Sequence, residues 1–229
     1  MSAIKKDVCW ICARSDLKLV KASNIKLPLS SVDFKITDSN YGHTGDIYSC
    51  NNCGFHQCMT MPDVLEYYEN MDDPVYEMTR SQRAIQEKNI LDVLKRFDTG
   101  DMLLDVGAGS GIMVEVATQA GYQACGVEPS IALQRKAGEL GHDVISGTID
   151  SLQQDNKYDV ITSIDVLEHV SDPVDFLKKI NQFLDKEGLA IIVTPDRKSF
   201  FARVLGWRWW HYRIAHIGYF DKQTLKLAL

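Results

Sequence analysis

Cys9 and Cys12 ("CWIC") and Cys50 and Cys53 ("CNNCG") form two C-x2-C pairs near the start of this 229-residue chain. Two such knuckles can supply four thiolates to one tetrahedral Zn²⁺, and a glycine after the second lets the chain turn with its amides toward sulfur. The stretch between them carries the Thr, Tyr, Val and Ile of short strands, which suits a zinc ribbon. A thioredoxin-like redox pair needs a single C-x2-C in a βαβ setting and fits less well. His56 and Cys58, also within "CNNCGFHQC", are surplus to four ligands and read as bystanders. Cys125 lies in an apolar strand pattern and reads as a small buried hydrophobe. A closed four-thiolate site leaves no open position to activate water, so the reaction chemistry belongs elsewhere.

A second group is "DVGAGSG", with Asp105 at a strand end and glycines at 107, 109 and 111. Glycines there permit a tight turn and a close backbone approach to a ligand at a helix N-terminus. The spacing is G-x-G-x-G, and Ile112 stands where a dinucleotide fingerprint wants its third glycine. The next strand ends in Glu128, placed to accept both hydroxyls of a ribose. A third group is Glu168 and His169 in "DVLEHV". A histidine of near-neutral pKa can act as general base on a hydroxyl. Two readings are open for this pair: base or substrate ligand, and cap of the following helix.

The elements that must position these groups alternate from Asp101 onward. "DMLLDV", "YQACGVE", "HDVIS", "YDVITSID" and "LAIIVTP" read as strands. "IMVEVATQAG", "SIALQRKAGELG" and "DPVDFLKKINQFLDKEG" read as helices, the last with Asp172 as N-cap, Pro173 at N1 and Asp175 closing a capping box. Strict alternation predicts an α/β fold with a doubly wound, mostly parallel sheet and ligands at the carboxyl ends of the strands. Upstream, "SQRAIQEKNILDVLKRF" predicts a helix with Ile90, Leu91, Leu94 and Phe97 on one face. The expected organisation is a zinc ribbon over 1–62, a helical linker and cofactor lid over 63–100, and the ligand-binding domain over 101–229.

Composition narrows the classes. The chain is 45% apolar and 24% charged with a net charge of −6, which argues against tight binding to nucleic-acid backbone. No run of about 18 apolar residues is present, so no transmembrane helix is expected. The N-terminus lacks an apolar signal-peptide core, and a cytoplasmic location is the default. Residues 199–220, "SFFARVLGWRWWHYRIAHIGYF", stand apart: three Trp, three Phe and two Tyr with interleaved arginines. They suit a substrate lid, stacking on a sugar, a peripheral membrane contact beside a lipid-linked substrate, or a helical cap packed on the sheet.

Taken together, "LLDVGAGSG", "GVEPS", "GTIDSL" and "YDVITSIDVLEHVSDPVDFLKKINQFLDKEGLAIIVTPD" resemble the successive motifs of class I S-adenosylmethionine-dependent methyltransferases, from Asp101 to about Leu229. The resemblance implies that Asp105, Gly107, Ala108 and Gly109 form the cofactor loop, with the methionine moiety passing Gly107 and Gly109. It implies that Glu128 and Pro129 flank the ribose, Ile149 and Asp150 the adenine, and that Asp165 lies near the sulfonium. Tyr76 or Arg83 would reach the cofactor carboxylate, and His216 in "AHIGYF" would close over the acceptor. A divalent ion near the Glu-His pair, an alternative in this family, finds too few carboxylates here. The two further strands that family members carry after "FDKQTLKLAL" are missing, so a C-terminally truncated chain is expected.

The cysteine pairs ahead of "YYENMDDPVYEMTRSQR" are similar to the zinc segments of some sugar and polysaccharide methyltransferases. The leading expectation is therefore methyl transfer to a sugar, nucleotide-sugar or glycan end. Alternatives are O-methylation of a quinone-like or other lipidic molecule, methylation of RNA with the ribbon as RNA binder, and a non-catalytic scaffold. The acidic balance and "SIDVLEHV" in place of an amine-methylating [DN]-P-P-[YF] motif count against RNA. The intact glycine loop and Glu128 count against a scaffold.

Overall fold

The computed structural model describes residues 7–61 and 64–229, so the expected boundary at 62/63 lies outside the described residues. Strands β1 (Leu17–Lys21), β2 (Ile47–Cys50) and β3 (His56–Cys58) form an antiparallel meander beside the two cysteine turns. Helix α1 (Val64–Glu69) and α2 (Arg80–Leu94) follow. Then come β4 (Met102–Val106), α3 (Ile112–Gln119), β5 (Gln123–Glu128), α4 (Ile131–Glu139), β6 (Val144–Ser146), β7 (Tyr158–Ile164), α5 (Pro173–Phe183) and β8 (Leu184–Val193). The chain ends with α6 (Phe200–Leu205), β9 (Gly218–Tyr219) and α7 (Lys222–Ala228).

Strands β4 to β8 build the expected parallel sheet in the order β6-β5-β4-β7-β8, every neighbouring pair parallel. Leu103, Leu104, Val160 and Ile161 are fully buried, as strands covered on both faces require. Helix α5 starts as its sequence dictates. Asp172 accepts a hydrogen bond from the Asp175 amide (3.3 Å), Pro173 occupies the first turn, and Phe176, Leu177, Ile180 and Phe183 face the sheet. Such a cap is worth about 1 kcal/mol.

Three expectations are corrected. Helix α2 ends at Leu94, before Phe97. Leu91 and Leu94 are buried, whereas Phe97 is carried out to solvent as the chain turns back toward β4. Helix α5 stops at Phe183 and does not run to Gly188. Residues 185–187 form an exposed bulge within β8, where the register shifts between the Tyr158–Leu184 and Val160–Leu189 pairs. The ribbon sheet is not self-contained either, because β9 pairs antiparallel with β3 and completes a four-stranded sheet in the order β1-β2-β3-β9. Arg197 reinforces that seam, donating to the Gly54 carbonyl (2.7 Å) and pairing with Asp221 (2.7 Å).

Candidate cofactor cavity and metal cluster

The four knuckle cysteines come together. Cys9 and Cys53 Sγ are 3.5 Å apart, Cys12 and Cys50 Sγ 3.6 Å, and all four sulfurs lie within 4.8 Å of one another. A tetrahedron with Zn–S near 2.3 Å has an edge of roughly 3.8 Å, so donor type and spacing suit Zn²⁺. The bystanders stay apart: His56 is paired within β3, and Cys58 is buried against Gly45.

At the carboxyl ends of β4 and β7, where strand order reverses, a cavity of about 660 Å³ opens. Asp105, Gly107, Ala108, Gly109, Pro129, Ile149, Asp150 and Asp165 all line it, as do Tyr76 and Arg83. The loop after β4 turns through left-handed backbone at Gly107 (φ 84°) and Gly109 (φ 55°). A Cβ at Gly107 would run into Val166, and one at Gly109 would sit 2.6 Å from the Tyr76 hydroxyl. The loop therefore offers bare backbone to a ligand at the start of α3. Asp165, at the end of β7, also adopts positive φ (54°), a conformation few non-glycine residues hold. Asp150 is half-drawn away by an ion pair with Lys179 (2.7 Å).

Glu128 takes a different position from the rest. It is fully buried and not on the cavity wall, with one oxygen accepting from the Gly109 amide (2.8 Å) and the other from the Ser130 amide (2.7 Å). The Tyr68 phenol also bonds to it. Burial pushes its pKa up to about 7 against the pull of those amides. These three donors take three of the carboxylate's four acceptor positions, so one is left for a ribose hydroxyl and not the two expected from the sequence. Asp105 is likewise buried and raised to about 7, with Thr162 Oγ1 donating to it at 2.7 Å.

The far end of the cavity is built by histidines. His169 Nδ1 lies 2.8 Å from the Ala215 carbonyl. A carbonyl only accepts, so Nδ1 carries the proton and Nε2 keeps its lone pair. His216 sits edge-on to His169 with ring centroids 4.7 Å apart, and His211 stacks on His216 at 5.6 Å. Glu168 Oε2 accepts from Thr194 (2.9 Å), while Oε1 is buried without a partner, 4.0 Å from His216 Nε2. Burial holds the His169 pKa down at about 4 and raises Glu168 to about 8. Glu168, His169 and His216 place ligand atoms within 4.8 Å of one another, so the shortage of carboxylates noted in the sequence is offset by a second histidine. Glu168 and His169 stand in a short 3-10 turn, Leu167–His169, ahead of α5, whose cap is Asp172.

Several cavity residues escape sequence reasoning. Glu87 lines the wall one helical turn beyond Arg83, with Oε2 buried and unpartnered. Arg83 lies over the Tyr76 ring (4.5 Å) and spends its Nε–H on Thr79 (2.9 Å). Arg80 moors this helix to the glycine loop by donating to Ser110 Oγ (2.9 Å) and pairing with Glu115. Arg213 enters from the aromatic segment and donates to the Ile36 carbonyl (2.8 Å). Arg83, already expected at the cofactor carboxylate, stands four residues before Glu87 on α2, and that spacing was the available signal for Glu87. Nothing local marks His211 or Arg213.

Residues 77–229 match the model of a methyltransferase domain family. Among relatives, the ubiquinone biosynthesis O-methyltransferase of Bradyrhizobium sp. (strain ORS 278) is 34% identical over 116 residues, which is 47% of this chain and 46% of that protein. That of Azorhizobium caulinodans is 31% identical over 116 residues, with the same coverage. The chain thus spans about half the length of the curated relatives it matches. Among solved structures, the plantazolicin methyltransferase BpumL in complex with SAH superposes with a TM-score of 0.55 at 16% identity, over 73% of this chain and 72% of that one. Magnesium protoporphyrin IX methyltransferase (ChlM) from Synechocystis PCC 6803 with bound SAH gives 0.53 at 16%, over 70% and 78%. The parallel sheet, the bare glycine loop at its switch point and the match over two-thirds of the residues converge on one conclusion: this chain belongs to the methyltransferase domain family.

Proposed function

We propose that the protein transfers a methyl group from S-adenosylmethionine to a hydroxyl of a small-molecule acceptor, with His169 as the base. The observation that carries this reading is the fixed tautomer of His169, whose Nδ1–H is held by Ala215 while Nε2 stays unprotonated in a cavity wall. The cofactor's contribution is an electrophilic methyl on a sulfonium. Around it, the chain positions and shields. Gly107, Ala108 and Gly109 pass the methionine end, Glu128 and Pro129 hold the ribose, and Ile149 and Asp150 flank the adenine. Arg83 on its Tyr76 platform takes the carboxylate. Asp105 shapes the loop from below, and Asp165 faces the positive charge. The neutral Nε2 of His169 takes the acceptor's proton, and the resulting imidazolium lies against His216 with Glu168 behind it. Alignment of the reacting atoms is the larger contribution, up to about 7–11 kcal/mol.

The acceptor end joins these histidines to an apolar wall that includes Phe34, Ile36, Leu65 and Phe176. That mixture, with the quinone-biosynthesis relatives, favours a ring hydroxyl on a molecule with an apolar tail. A sugar or glycan-end hydroxyl is the second reading, supported by the cysteine segment ahead of the domain and by Arg213 in the wall. Zn²⁺ on Cys9, Cys12, Cys50 and Cys53 completes the proposal as a structural ion, and a reducing cytoplasmic setting suits four free thiols.

In a panel of catechol-type and sugar acceptors, His169→Ala should lower turnover by roughly 10²–10⁴-fold while cofactor binding measured by calorimetry stays unchanged. Undiminished turnover would remove His169 from the mechanism. Failure of the wild type to bind SAH would remove the methyltransferase reading itself.

A further inference from the structure

Residues 198–210 carry a cluster of rings that the fold leaves in solvent. Phe200 is 73% exposed, Phe201 57%, Val204 66%, Trp207 40% and Trp210 38%. These are not scattered single residues. Phe201 touches both Phe200 (5.6 Å between centroids) and Trp210 (5.5 Å), so these three exposed rings make one contiguous patch, while Trp207 of the same segment packs on Tyr212 (4.7 Å).

The patch stands on a firm base. Ala202, Trp209 and Tyr212 are buried and pack with Ile47 of β2 and Tyr219 of β9 into a small core of their own. Tyr212 also accepts a hydrogen bond from the Gly42 amide (2.6 Å). One face of this segment is thus fully committed to packing, and the apolar rings on the other are displayed by a rigid mount.

Charge indicates what covers them. Between Asp196 and Asp221 the chain holds five Lys or Arg and no Asp or Glu, although its net charge is −6. Lys198 pairs with Asp221 (2.8 Å), whereas Arg203 and Arg208 are exposed and make no ion pair among the described residues. Exposed aromatic rings with free cations beside them fit the boundary between acyl chains and anionic headgroups. A second copy of the chain fits poorly, since a two-fold contact would oppose Arg203 and Arg208 with their own equivalents. The same segment continues directly into His211, Arg213 and His216 of the cavity wall.

We infer that Phe200, Phe201, Trp207 and Trp210, with Arg203 and Arg208, form a membrane-contact face that seats the protein on an anionic lipid surface with the acceptor end of its cavity close by. This goes beyond the proposed reaction and does not depend on which acceptor is methylated.

Sedimentation with phosphatidylglycerol-containing vesicles tests it, with pure phosphatidylcholine vesicles as the comparison. The wild type is expected to co-sediment with the first and far less with the second, with a blue shift of tryptophan emission. F200S/F201S should abolish the shift and the binding. R203E/R208E should weaken binding about 30-fold or more, given about 1 kcal/mol per basic residue near such a surface. All six side chains are solvent-exposed, so circular dichroism and melting temperature should be those of the wild type in both variants. Equal binding to both vesicle types, or none to either, overturns the inference. So does concentration-dependent dimerisation that F200S/F201S abolishes while vesicle binding is absent, which would make the patch a protein–protein face.

Discussion

Glu87 and Glu128 are both carboxyls withheld from water, but their partners differ. Glu128 is satisfied by two backbone amides. Glu87 has a buried oxygen with no partner and a pKa pushed up to about 8, chiefly by burial and then by Asp105. With Arg83 one turn away, this is a pair suited to a zwitterion: guanidinium for the carboxylate, Glu87 for the ammonium. Glu87 must ionise to take that cation. Affinity for SAH should therefore rise between pH 6.5 and 8.5, and Glu87→Gln should both weaken and flatten that dependence. 5′-Methylthioadenosine, which lacks the amino-acid end, should bind both proteins alike in calorimetry; a similar loss for both ligands would refute the pairing. The glycine loop was legible in the sequence because its chemistry requires a local spacing. Glu87 was not, because its significance comes from burial and from Asp105, which only the folded chain brings beside the Arg83–Glu87 turn of α2.

At the level of elements, the β3–β9 pairing ties the cysteine cluster to the histidine end of the cavity, since His216 stands two residues before Gly218 of the paired Gly218–Tyr219. The glycine loop and Arg83 belong to other elements. Zinc content should be near one per chain by atomic absorption. Cys50→Ser should lose the metal and cut acceptor turnover at least tenfold with SAH affinity within about twofold of wild type. Equal losses in both would mean that the ribbon supports the whole domain. Arg197→Ala, which cuts the link from Gly54 to Asp221, should shift turnover in the same direction to a smaller extent. Strand and helix order from Asp101 was legible because apolar runs and caps recur in step with the βα unit. The β8 bulge and the recruitment of β9 were not. A two-residue strand has no periodicity, and its partner is chosen by tertiary packing.

For the molecule as a whole, opposing sets of buried groups govern stability against pH. Burial raises Glu87 and Glu168 to about 8, and Asp105 and Glu128 to about 7. Raised carboxyls give stability that is complete below their unfolded pKa and is lost as pH climbs through the folded values. His56, His169 and His211 are lowered to about 4 by burial, and give stability that is complete above pH 6.5 and is lost toward pH 4. The slopes oppose each other between about pH 4.5 and 6.5, and only the carboxyl slope persists above that. The melting temperature of the cofactor-free protein should therefore be nearly level from pH 5 to 6.5 and fall from 6.5 to 8; a rise over that upper interval would contradict the assignment. The same long-range architecture governs how the chain is made. Gln57 meets its strand partner Gly218 only near the end of the chain. During synthesis the cysteine knuckles leave the ribosome long before their sheet can be completed, and β3 waits with an open edge while the whole parallel sheet forms.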